Sequence, residues 1–144
     1  MSEKDFLKQA VELAIENRKK GGRPFGALLV KDGQIIAKGV NNILTTFDPS
    51  SHAEMEAIRS ATMSTRNLDL RGCTIYASGQ PCPMCLAAMA FTGVSEAVFA
   101  FANADAEPFG FSSAVVYSKL HISEVEFIPF RKVDCGYSAS QVYG

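Results

Sequence analysis

Two short motifs, His52-Ala53-Glu54 and Pro81-Cys82-Pro83-Met84-Cys85, constrain the fold of this chain more than any other feature. One imidazole and two thiols can supply three ligands to a zinc ion and leave its fourth position open, the property that separates a catalytic zinc site from a structural one. Asp48-Pro49-Ser50-Ser51 is loop and cap chemistry, which places His52 in the first turn of a helix running to about Met63. Pro81 breaks the chain and Pro83 suits a first helical position, so the thiols open a second helix. Residues i and i+2 on a helix do not face each other. His52 and Glu54 therefore serve one centre only if the ion lies off the helix end, whereas Cys82 and Cys85, at i and i+3, share one face of a first turn. The expected fold brings two helix N-termini to one ion, and their partial positive charge favours thiolates.

With three protein ligands on zinc, Glu54 is the expected proton carrier, and backbone N–H groups around Ala53 and Cys82 are free to orient a substrate. A C-x-x-C pair alone also fits a redox pair or half of a structural zinc knuckle. A redox pair has no use for His-x-Glu at another helix start. A structural site needs a fourth protein ligand, for which Cys73, Cys135 and His121 are the candidates. Cys73 falls inside a strand pattern, and the other two lie in the final third without ligand-type spacing, which favours the catalytic arrangement.

The length of 144 residues suits a single domain, 1–144. No apolar run is long enough for a membrane span, and the charged N-terminus does not read as a secretory signal. With the Cys82–Cys85 spacing, this predicts a cytoplasmic protein whose cysteines ligate metal rather than form disulfides. A net charge of −1, and no Lys or Arg from Asp134 to Gly144, argue against a nucleic-acid partner. The basic run from Arg18 to Arg23 reads as a solvated helix end.

Apolar spacing predicts a helix from Phe6 to Ile15, stopped by Gly21-Gly22. Ala27–Val30 and Ile35–Ala37 form a hairpin about Asp32-Gly33. Further strands are expected at Cys73–Ala77, Val94–Phe101 and Val125–Ile128, with a short helix at Ser112–Leu120. The order α-β-β-α-β-α-β-α-β implies an α/β fold, a mixed sheet covered on both faces in a three-layer α/β/α sandwich.

The H-x-E…P-C-x-x-C arrangement is the pattern of zinc deaminases of nucleobases. The chain resembles the cytidine deaminase-like superfamily, and within it the branch of bacterial guanine deaminases, from about Phe6 to about Tyr117. The matching residues include Pro24-Phe25-Gly26-Ala27, Lys31-Asp32-Gly33, Asn41-Asn42, Asp48-Pro49, both zinc motifs with Leu86, and Ala97-Val98-Phe99. The resemblance implies a five-stranded mixed sheet, with His52, Cys82 and Cys85 holding one zinc ion per chain and Glu54 as proton shuttle. Asn41 would hydrogen-bond the base, Phe25 would pack against its ring, and Ala53 and Ser113 would complete the substrate contacts. It also implies hydrolytic deamination of a small nucleobase, guanine first, in a homodimer. There the C-terminal tail can complete the partner's site, through Tyr137 or Tyr143 here, although surface tyrosines are the plainer reading.

The chain departs from this branch at two places. Gln80 stands where Glu is common, and Ser112-Ser113 follow Gly110-Phe111 where acidic residues would accept hydrogen bonds from guanine. Asp105 and Glu107 are candidate substitutes, or simply a solvated acidic loop. The alternatives are deamination of cytosine or another ring, and of adenosine in tRNA.

Overall fold

The computed structural model describes residues 1–122 and 128–144. The elements run α1 (Glu3–Lys19), β1 (Gly26–Lys31), β2 (Gln34–Val40), α2 (Ile43–Thr46), α3 (Ala53–Thr65), β3 (Cys73–Gly79), α4 (Pro83–Thr92) and β4 (Glu96–Phe101). Then follow α5 (Asn103–Ala106), a 3-10 turn (Glu107–Phe109), α6 (Ala114–Lys119), β5 (Phe130–Lys132) and α7 (Ala139–Tyr143). The strands form one five-stranded sheet in the order β2-β1-β3-β4-β5. β1 lies antiparallel to β2 and β3, while β3–β4 and β4–β5 are parallel.

Local chemistry explains most of these elements. α1 starts in a reciprocal cap: the Asp5 N–H donates to Ser2 Oγ and the Ser2 N–H donates to the Asp5 carboxylate. Its buried stripe is Phe6, Leu7, Ala10, Val11 and Ala14. Asp32 and Gly33 both take positive φ, 50° and 75°, as a tight hairpin between right-twisted strands requires. β1, β3 and β4 are buried on both faces, so alternate residues feed two cores. Leu29, Ile75, Ala97 and Phe99 face α3 and α4, with Ile58, Leu86 and Met89. Leu28, Tyr76, Val98 and Ala100 face α1 and α7, with Leu7, Val11 and Val142. The three-layer α/β/α architecture is as expected from the sequence.

The later part of the chain departs from expectation. Residues 125–127 of the strand expected at Val125–Ile128 lie outside the described residues, and the edge strand is Phe130–Lys132. α2, α5 and α7 are further elements, too short for apolar periodicity to announce them. The tail is not all at the surface: one face of α7 packs beside α1, Tyr143 is buried and Tyr137 is half-buried. Arg18 ties it down, donating through Nε to the Val142 carbonyl at 2.9 Å, so the basic run is not simply solvated. No described helix is long and apolar enough to cross a membrane.

The seating of α3 on the sheet depends on one glycine. A Cβ at Gly39 in β2 would lie 2.2 Å from the Ala53 carbonyl oxygen and 2.6 Å from the Ala57 nitrogen. The helix backbone therefore rests directly on the strand, and only glycine permits it. Gly39→Ala is expected to lower stability by about 1–3 kcal/mol, an overpacking cost, read as a fall in the urea midpoint.

Candidate active site

His52 is the residue just before α3, with φ −76° and ψ 158°, and Cys82 holds the same place before α4, with φ −76° and ψ 167°. Neither side chain caps its own helix, so each is free to meet a ligand off the helix end. Cys85 lies in the first turn of α4, after Pro83 at the helix start. These two helix starts bring three donor atoms together. Cys82 Sγ stands 3.5 Å from His52 Nδ1, Cys85 Sγ stands 3.7 Å from the same nitrogen, and the sulfurs are 3.6 Å apart.

The spacing tests whether zinc fits. Zinc bonds of about 2.3 Å to sulfur and about 2.05 Å to nitrogen give tetrahedron edges of about 3.8 Å (S–S) and about 3.6 Å (S–N). The observed separations fall within about 0.2 Å of those edges. Among the described residues, His52, Cys82 and Cys85 are the one cluster of His, Cys, Asp or Glu ligand atoms close enough to hold a metal. The candidates for a fourth protein ligand stand elsewhere. Cys73 opens β3, Cys135 is in the core on the α1 side, and His121 lines a separate cavity with Tyr117. All four cysteines are free thiols.

Glu54 is buried in the first turn of α3 and lines the same cleft as His52 and Cys82. Burial, then the neighbouring Cys82 charge, pushes its carboxyl up to about 7. The hydrogen bond from Cys85, with another from His52, holds Cys82 down at about 4, so Cys82 is the thiolate of the metal-free pair. Its contact with His52 raises the imidazole above its ordinary value.

The cleft has a volume of about 390 Å³. Phe25 and Phe111 form apolar walls, with ring centroids 5.9 Å apart and nearly perpendicular at 82°. Asn41 is buried and lines the cleft; its Oδ1 accepts from the Ile43 N–H at 3.1 Å, which leaves its amide N–H groups for a ligand acceptor. Ser112 and Ser113 also line the cleft, and Ser113 donates both its N–H (3.0 Å) and its hydroxyl (3.1 Å) to Asn103 Oδ1. The Ala53 side chain packs away from the cleft against Ala27 and Ala57, so only its backbone is available. As the first residue of α3, its N–H is among those a helix leaves without an internal acceptor.

The structure corrects several expectations and adds residues to the site. Asp105 does not substitute for an acidic cleft residue: its carboxylate accepts from the Ala102 N–H and pairs with Lys132 at 2.8 Å. Glu107 is exposed outside the cleft. Tyr143 stacks on Phe111 at 5.6 Å and packs on Phe25 at 6.0 Å, so the tail braces the walls of its own chain's cleft. Arg23 lies 6.0 Å from the Phe111 ring centroid and lines the cleft mouth. A basic run after a helix gives no hint of that contact.

The raised carboxyl of Glu54 has a defined consequence for the metal-free protein. Folding favours its protonated form, so its contribution is fully present below the ordinary value of 4.5 and is lost as pH rises through about 7. Between those pH values, metal-free wild type should lose more stability than metal-free Glu54→Gln, as read from urea midpoints.

The sequence profile of the cytidine and deoxycytidylate deaminase zinc-binding region matches residues 1–101. The guanine deaminase of Bacillus subtilis (strain 168) is 42% identical over 135 residues, 92% of this chain and 86% of that protein. Its X-ray structure superposes with a TM-score of 0.81 over the same shares. A tRNA-specific adenosine deaminase of Aquifex aeolicus (strain VF5) is 37% identical over 99 residues, 69% of this chain and 66% of that one. Guanine deaminase from Nitrosomonas europaea, at 23% identity, shares the fold with a TM-score of 0.81 over 96% of this chain and 81% of that one. The sequence profile and the relatives show that this chain belongs to the cytidine and deoxycytidylate deaminase family and is a zinc-dependent deaminase, and His52, Cys82 and Cys85 are the group that could hold the metal beside Glu54.

Proposed function

We propose that this protein hydrolyses the exocyclic amino group of a small nucleobase, guanine first, giving xanthine and ammonia. The observation that carries the reading is the cluster of His52 Nδ1, Cys82 Sγ and Cys85 Sγ, which shares a base-sized cleft with the buried carboxyl of Glu54. In this reading His52, Cys82 and Cys85 hold one zinc ion per chain. Bound zinc supplies the Lewis acidity that makes water a nucleophile near neutral pH. Glu54 takes a proton from that water and hands it to the ring nitrogen beside the aminated carbon. It then carries the second proton to the leaving amine, as the C–O bond is completed and the C–N bond breaks. A buried carboxyl beside the reacting carbon can perform both transfers.

The other residues orient the ring. Phe25 and Phe111, set edge to face, form an apolar corner that packs against the ring and excludes water. The Asn41 amide donates to a ring acceptor, the Ala53 N–H is available to an oxygen, and Ser113 faces the ring edge. The identity to the B. subtilis guanine deaminase along nearly the whole chain supports guanine over the tRNA reading, as does the charge of −1. The reading includes a homodimer in the cytoplasm.

Zinc-loaded protein is expected to release ammonia from guanine. Glu54→Gln, which keeps the shape and loses the proton carrier, is expected to retain zinc and fold while losing at least about 10²-fold in kcat. Inertness of the wild type toward guanine, cytosine, adenine and aminated triazines would refute the reading.

A further inference from the structure

We propose that Asn103 is a specificity-determining positioning residue, which fixes the Ser113 hydroxyl as a hydrogen-bond acceptor facing a ring N–H of the substrate. The proposal rests on the deaminase reading and concerns which edge of the ring the cleft selects.

One donor in this cluster has no choice of role. The Ser113 backbone N–H can only donate, and it points at one atom of the Asn103 amide from 3.0 Å. That atom must therefore be the oxygen, which settles the orientation of the amide. The same oxygen lies 3.1 Å from Ser113 Oγ. An amide oxygen cannot donate, so the Ser113 hydroxyl directs its single proton there. What Ser113 retains for the cleft is lone pairs.

Ser112 has the opposite polarity. Its Oγ accepts from the Ala114 N–H at 3.0 Å, and its own proton remains available. Two adjacent hydroxyls lining one cleft thus present different faces, an acceptor at Ser113 and a donor at Ser112. Sequence alone does not distinguish them.

Asn103 does not line the active cleft; it lies behind Ser113, on a neighbouring cavity, and so acts through that serine. Its own position is fixed from the metal side. The Asn103 N–H donates to Gln80 Oε1 at 3.0 Å, and Gln80 immediately precedes Pro81-Cys82. The acceptor at Ser113 is therefore held in register with the start of the helix that carries the thiols.

The ligand class follows from the polarity. A ring with an N–H donor beside its aminated carbon, as in the lactam edge of guanine, satisfies Ser113. In adenine or cytosine the one ring nitrogen beside the aminated carbon is the atom Glu54 must protonate, so the edge turned to Ser113 offers a carbon and leaves the serine's lone pairs unpaired in a desolvated site. Guanine can thus be selected without a cleft carboxylate other than Glu54.

The test is a double-mutant cycle on zinc-loaded protein with Asn103→Ala, Ser113→Ala and the double variant. The readouts are kcat and KM for guanine and calorimetric Kd for 8-azaguanine. Each single variant is expected to raise KM and Kd about tenfold with kcat unchanged, and the double variant to be no worse than Ser113→Ala. Asn103→Asp, which keeps an acceptor in place, is expected to restore most of the affinity lost in Asn103→Ala. Additive losses, a null effect of Ser113→Ala, or failure of Asn103→Asp to rescue a folded, zinc-replete protein would overturn the proposal. A wild type that neither turns over guanine nor binds 8-azaguanine would remove the guanine reading on which the inference rests. Turnover with an additive cycle would remove this inference alone.

Discussion

Two helices begin close enough for side chains at their starts to stand 3.5–3.7 Å apart, and the position of every reactive group follows from that convergence. α3 reaches it because Gly39 lets its first turn lie against the β2 backbone. α4 reaches it because β3 ends at Gly79 and Pro81 turns the chain into a proline-led helix. Both starts leave polar N–H groups pointing at the same small volume. A thiolate is favoured there at Cys82, and burial beside it favours the protonated carboxyl of Glu54 in the metal-free protein. Metal binding, proton transfer and ring orientation then share one electrostatic environment.

The sheet serves this arrangement by being buried on both sides. With cores on each face, the parallel pair β3–β4 delivers its C-terminal ends to the cleft as a rigid rim. Gln80, just beyond β3, bonds Phe101 at the end of β4 through its backbone and Asn103 through its side chain. The metal-side and recognition-side loops are therefore tied to each other at the sheet edge. The aromatic group of Phe25, Phe111 and Tyr143 closes the other flank, with the C-terminal helix as its support.

Much of this is legible in the sequence where a residue type is tied to a chemical need. His52, Cys82 and Cys85 can be picked out as candidate ligands because zinc favours those donors, and the flanking Ser, Asp and Pro residues mark the helix starts. The hairpin at Asp32-Gly33 is equally readable, since positive φ at both positions leaves few alternatives. The recognition side is harder. Asn103 gives no signal because its role is to orient a neighbour's proton, which depends on an amide direction and not on spacing. Arg23 looks like a helix end, and Asp105 looks available until Lys132 is found beside it. Tyr143 reads as a surface residue because a short terminal helix has no periodicity to reveal a buried face.

A metal with three protein ligands and an open position has a distinct signature in X-ray absorption at the zinc edge of the loaded protein. The expected first shell is two sulfurs at about 2.3 Å, with one imidazole nitrogen and one further light atom at about 2.0–2.1 Å. Three or four sulfurs in that shell would mean that Cys73 or Cys135 closes the site, and would contradict a catalytic centre.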